Sequence, residues 1–173
     1  MYCIIAICAE ERNVMYKVGD KIVYPMHGAG IVERIENKHI LGRDRDYYVL
    51  HVPGDDMKIM IPVDQVDVIG VRTVIDKNDF EKVVALLKEP SSKMPSNWNR
   101  RYRANMDKLR TGDICEVAEV VRNLTRTEVK KQLSTGEKKL LANARHILVT
   151  EMVLAADIAP DEADRILDTA ISS

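Results

Sequence analysis

A change of hydrophobic period near residue 70 limits what this chain can become more than any other feature. Before it, apolar residues alternate in short runs cut by glycine, proline and aspartate; after it, they recur at the spacing of a helix face. The two periods cannot share one element, so the chain reads as a β-rich part followed by a helical part.

Within residues 15–70, Val18-Gly19-Asp20 opens a strand through Tyr24, and Pro25 ends or edges it. Gly28-Ala29-Gly30 reads as a tight turn or bulge before a strand from Ile31 to Ile40. Gly42-Arg43-Asp44 turns the chain into Tyr47 to Val52, and Pro53-Gly54-Asp55-Asp56 turns it again into Met57 to Ile61. Val66 to Ile69 closes the set. Five short strands in under sixty residues predict a small, strongly bent sheet or barrel of the SH3/Tudor kind. Tyr24, Tyr47 and Tyr48 either form an aromatic cage or alternate between core and surface, the commoner arrangement.

Residues 76–173 read as a helical bundle. Asp76 caps a helix carrying Phe80, Val83, Val84 and Leu87, which Pro90 stops. Ser96 or Asn97 caps the next, which ends at Thr111-Gly112. Asp113-x-x-Glu116 starts a helix with Ile114, Val117, Val121 and Leu124 inward and Arg122, Arg126 and Lys130 on the opposite face. Ser134-x-x-Glu137 is a capping box for a long helix, and Pro160 starts a last one. The fold class is therefore α+β in two domains, residues 15–73 and 74–173. The chain is long enough for a real core, and 46% apolar with 31% charged residues describes a soluble globular protein.

The first fourteen residues look detached. Met1 to Ala9 is too short to cross a bilayer and lacks the flanks of a signal peptide. Glu10, Glu11 and Arg12 can all be written in purine-only codons, with two codons before Met15, the layout of a bacterial ribosome-binding site. Residues 1–14 are accordingly expected to be translated leader or a disordered tail, with Met15 the true start. An intact native peptide containing Cys3 or Cys8 would exclude that start. Cys3, Cys8 and Cys115 have no metal-ligand spacing and leave an odd thiol, as in a reduced cytoplasmic protein.

A net charge of −1 hides an asymmetry. Residues 98–146 hold 12 Lys/Arg against 6 Asp/Glu, a net of +6, whereas residues 147–173 hold 1 against 6, a net of −5. The basic segment predicts a polyanionic partner. At its start lies Trp98, the sole tryptophan, followed by Arg100, Arg101 and Arg103. Trp98, Tyr102, Met106 and Leu109 share one helix face, so Trp98 either tops a buried stripe or stands exposed as a wedge flanked by guanidinium groups. The second arrangement suits a duplex gripped at its phosphates while an apolar group is pressed against a base step.

Catalytic patterns are missing. Gly136-Glu137-Lys138-Lys139 lacks the frame of a P-loop, no nucleophile elbow or zinc-protease motif is present, and His27, His39, His51 and His146 share no ligand spacing. Neither an enzyme nor a metal or cofactor is expected.

The ordered motifs Lys17-Val18-Gly19-Asp20, Val23-Tyr24-Pro25, His27-Gly28-Ala29, Asn97-Trp98-x-Arg100-Arg101-Tyr102, Val117-Ala118-Glu119-Val120-Val121-Arg122 and Leu133-Ser134-x-Gly136-Glu137-Lys138 resemble the CarD family of bacterial transcription regulators, over residues 15 to about 171. The resemblance implies a Tudor-like domain that docks on the β subunit of RNA polymerase and a helical domain that contacts promoter DNA with low sequence specificity. It implies that Trp98 sits in the minor groove at the upstream edge of the melted region and hinders bubble closure, stabilising the open complex. Arg100, Arg101, Arg103 and Lys138 would then contact phosphates or groove. Lys38, Ile40 and Met60 fall where the family touches polymerase; Met60 replaces a position that can be arginine, so its contact would be apolar. A related β-module occurs in the transcription-repair coupling factor beside an ATPase motor that this chain lacks. A cytoplasmic monomer associated with the nucleoid through polymerase is expected. The alternative is a polymerase-bound protein whose helical domain recruits another protein without touching DNA.

Overall fold

The computed structural model describes residues 16–173 apart from Met57. The leader, the start at Met15 and two of the cysteines lie outside the described residues. Alternation builds the first half as expected. Strands β1 (Lys21–Tyr24), β2 (Gly28–Ile40), β3 (Arg43–His51), β4 (Lys58–Pro62) and β5 (Arg72–Thr73) form one antiparallel sheet in the order β4-β3-β2-β1-β5. Period-two spacing puts Ile22, Val32, Tyr48, Leu50 and Ile61 into one buried cluster, capped by Tyr16 edge-on to Tyr48 with ring centroids 6.0 Å apart. Each such side chain contributes roughly 1.5–3 kcal/mol by leaving water. Tyr48 is thus a core residue, and Tyr24 stacks on His27 instead of joining a cage.

Three local expectations are corrected. Gly28-Ala29-Gly30 is the first part of β2, not a turn. The strands are less uniformly short than the turns suggested, since β2 runs 13 residues and its register shifts between Val32 and Arg34. Val66–Ile69 is a single helical turn, α1, following a 3-10 turn over Val63–Gln65. Gly70 closes that turn at φ 81° with its N–H on the carbonyls of Val66 and Asp67, which a strand could not do, and the fifth strand is Arg72–Thr73. Only Val66 of the turn is buried, while Val68 projects into solvent.

The helices are α2 (Lys77–Lys88), α3 (Trp98–Arg110), α4 (Ile114–Lys130), α5 (Thr135–Ala156) and α6 (Pro160–Ser172). Side-chain caps start four of them: Asp76, Asn97, Asp113 and Ser134 accept from backbone N–H groups of the first turn, and Pro160 stands at the start of α6. Helix α4 lies among the others and fills the core with Val117, Val121 and Leu124 against Leu109, Leu148 and Leu167. No helix among the described residues is long and apolar enough to cross a membrane.

Sheet and bundle meet along β2 and α5. Ala29 donates its N–H to Thr150 Oγ1 at 3.0 Å, Lys21 reaches the Leu154 carbonyl at 2.8 Å, and Val23, Ala29 and Leu154 pack between them. Gly28 permits this approach. It has φ 103°, and a Cβ there would lie 2.7 Å from Thr150 Oγ1.

Candidate nucleic-acid interface

The start of α3 is set by Asn97, whose side chain accepts the Arg100 N–H at 3.2 Å. Downstream, Leu109 is buried and Tyr102 and Met106 pack partly against the core. The stripe runs out before it reaches the helix start. Trp98 remains 53% exposed, so of the two arrangements open to it the exposed one is found.

Arg101 differs from its neighbours. It is 7% exposed, and its Nε donates to Glu137 Oε1 at 2.6 Å while its NH1 reaches the carbonyls of Pro95 and Ser96, each at 3.2 Å. The other oxygen of Glu137 accepts from the Ser134 backbone N–H and hydroxyl, at 3.1 and 2.9 Å. Burial alone would raise the Glu137 carboxyl, but the bonds from Arg101 and Ser134 outweigh it and hold its pKa below the ordinary carboxylate range. The structure places Arg101 otherwise than the phosphate contact expected of it: its Nε and NH1 are taken by a buried acid and two carbonyls, and the side chain is turned inward. Instead it ties the start of α3 to the start of α5, where Gly136 also lies against the Tyr102 ring.

Around this tie, Arg100, Arg103 and Lys138 are exposed, and none of their side chains has a hydrogen-bond or ion-pair partner among the described residues. Two cations that sequence reasoning did not assign to the site, Lys130 of the expected outer face of α4 and its neighbour Lys131, share the same end of the bundle. Lys130 and Lys131, exposed at the close of α4, line a groove of about 350 Å³ with Ser91, Pro95 and Ser96 beside the Trp98 turn. The available signal was a lysine pair just ahead of a capping box. The expected outer face of α4 is itself corrected. Arg122 is buried and donates to the Leu86 carbonyl at 2.8 Å and Ser92 Oγ at 3.1 Å, and Arg126 reaches the Ile171 carbonyl at 3.0 Å. A helix packed on several sides turns its long cations onto the carbonyl ends of neighbours.

A second candidate surface lies on the sheet. Arg34, Lys38 and Ile40 alternate along one face of β2, and Val49, the partner of Arg34, brings Met60 of β4 onto that face. Lys38 Nζ lies 3.5 Å from Met60 Sδ and 3.3 Å from Glu36. At the hairpin tip Ile40 is 43% exposed and Leu41 98%, beside Arg43, Arg45 and Tyr47. The surface combines cations with solvent-exposed apolar groups, the composition of a protein-docking patch and not of a phosphate site.

Residues 16–75 match the family described as the CarD-like/TRCF RID domain, and residues 82–168 match the one described as CarD, C-terminal domain. The protein named "Putative transcription factor YdeB" from Bacillus subtilis (strain 168) is 41% identical over 138 residues, covering 80% of this chain and 90% of that protein.

Proposed function

The chain belongs to the CarD family of transcription factors, which are not enzymes, and carries its RNA polymerase-interacting domain; on that footing we propose that it docks on the polymerase β subunit and stabilises the promoter open complex through Trp98. In this reading residues 15–73 dock and residues 74–173 contact promoter DNA. Trp98 enters the minor groove at the upstream edge of the bubble and opposes its closure. Arg100, Arg103 and Lys138, with Lys130 and Lys131 beside them, hold phosphates and read no bases. The observation that carries the proposal is an exposed indole at a capped helix start whose first turns also carry the exposed Arg100 and Arg103, while Arg101 of the same helix turns inward and fastens that start to α5.

The test is the lifetime of open complexes formed by the cognate polymerase with and without the protein. A longer lifetime supports the reading, and an unchanged one sinks it. Ile40→Glu is expected to keep the fold, since Ile40 is exposed, but to weaken polymerase binding about tenfold or more by putting a charge into an apolar contact. The same variant should lose the lifetime effect at concentrations where wild type saturates. If Ile40→Glu binds polymerase as wild type does, the docking face is elsewhere.

Phosphate contact has its own signature. Each phosphate neutralised contributes roughly 0.9 to the slope of log affinity against log salt, so Arg100→Ala, Arg103→Ala and Lys138→Ala combined should lower it by about 2.7. An unchanged slope in a titration of duplex DNA would remove these side chains from the interface and favour a protein-recruiting role for the bundle.

A further inference from the structure

A second ion pair, its acid buried and its arginine partly exposed, lies where sheet and bundle meet. Glu151 of α5 is fully buried, and its carboxylate accepts a fork from Arg72 of β5, NH1 to Oε1 at 2.6 Å and NH2 to Oε2 at 2.9 Å. The Ile75 N–H adds a third donor at 3.2 Å. The same guanidinium donates from Nε and NH2 to the Gly112 carbonyl, at 3.0 and 2.8 Å. Gly112 follows Thr111, the C-cap of α3, and has φ 71°, with Pro25 of the sheet half packed against it. One sheet residue thus grips α5 and the tail of the helix that begins with Trp98.

Such a pair is a poor source of stability. Apolar residues of similar volume commonly do as well, because the Glu151 charge must leave water entirely and that of Arg72 in part. The Ala29–Thr150 and Lys21–Leu154 bonds fix the sheet to α5, whereas the fork adds a two-point constraint that also takes in the tail of α3 at Gly112. We propose that Arg72 and Glu151 are positioning residues that hold α3, and with it Trp98, at a fixed angle to the polymerase-docking sheet. The inference rests on the proposed function and adds its geometry. The 13 residues of α3 span about 20 Å, so a swing of about 10° at Gly112 carries Trp98 about 3.5 Å, one base step of a duplex. A docked protein with a loose joint would present its wedge to the wrong step.

Arg72→Ala alone leaves the buried Glu151 carboxylate without its cation and can fail to fold. The informative variant is Arg72→Met combined with Glu151→Leu in the full chain. The variant is expected to stay folded with a melting temperature lowered by a few degrees at most, since the Ile75 N–H and the Gly112 carbonyl lose these partners, and its polymerase affinity to be unchanged. Residual dipolar couplings of backbone amides should fit one alignment tensor across both halves in wild type and require two in the double variant. The lifetime extension should be lost in the double variant. Retained extension, with one tensor or two, overturns the proposal; so does loss of extension with a single tensor. If wild type itself extends no lifetime, the functional reading fails, while the tensor comparison still reports whether the pair fixes the joint.

Discussion

Arg101→Ala is expected to destabilise the protein by about 3–5 kcal/mol, although Arg101 stands in a run of otherwise exposed basic residues. Removing it strands Glu137, which is 1% exposed, without its cation. For a chain of this size that loss lowers the melting temperature by roughly 6–20 °C, whereas Arg103→Ala should stay within about 0.5 kcal/mol of wild type. The difference shrinks in acid. Glu137 has a lowered pKa in the folded protein, so its contribution is complete above the ordinary carboxylate value of about 4.3 and disappears as pH falls through the lowered value. Without Arg101 one of the bonds that hold it down is lost, so the Glu137 pKa rises relative to wild type and the variant takes up that proton at higher pH. Denaturant melts at neutral pH and near pH 4 test both parts. Equal stability of Arg101→Ala and Arg103→Ala at neutral pH would show that the pair is not buried in solution, and would return Arg101 to the phosphate-binding set.

Arg101 also marks where sequence reasoning ran out. Caps and turns were legible because the groups that make them lie within a few residues: Asp76, Asn97, Asp113 and the Ser134–Glu137 box each bond to their own first turn. The partner of Arg101 lies 36 residues away, and nothing local separates it from Arg100 or Arg103. Arg122 was misread for a related reason. Helical period places it opposite Val117 and Val121, but period cannot say that a neighbouring helix covers that side as well. At Val66–Ile69 the apolar alternation of a strand competed with a left-handed glycine stop, and the glycine decided. Trp98 was undecidable by spacing, since the same stripe fits a core that reaches the helix start and one that stops short. Lys38 and Met60, 22 residues apart, meet only through the register of β2, β3 and β4.

Trp98→Ala should separate binding from action. Truncating a buried tryptophan costs about 3–5 kcal/mol, but at 53% exposure and beyond the packed stripe the cost should fall below about 1 kcal/mol. Polymerase affinity should be unchanged, because Trp98 lies outside the RNA polymerase-interacting domain of residues 16–75. The open-complex lifetime should fall sharply. An aromatic side chain stacked on an exposed base contributes about 1–3 kcal/mol, which converts to roughly a 5- to 150-fold shorter lifetime if the contact is made in the open complex and lost on closure. Cationic contacts cannot substitute, because they bind duplex and melted DNA alike and so shift affinity without shifting the equilibrium between closed and open forms. That distinction makes the arginine and tryptophan variants complementary. Arg100→Ala and Arg103→Ala should lower occupancy and recover their effect at higher protein concentration or lower salt, whereas Trp98→Ala should stay defective at saturation. A Trp98→Ala protein that extends the lifetime once saturating would show that the bundle acts by charge alone and that the indole is idle.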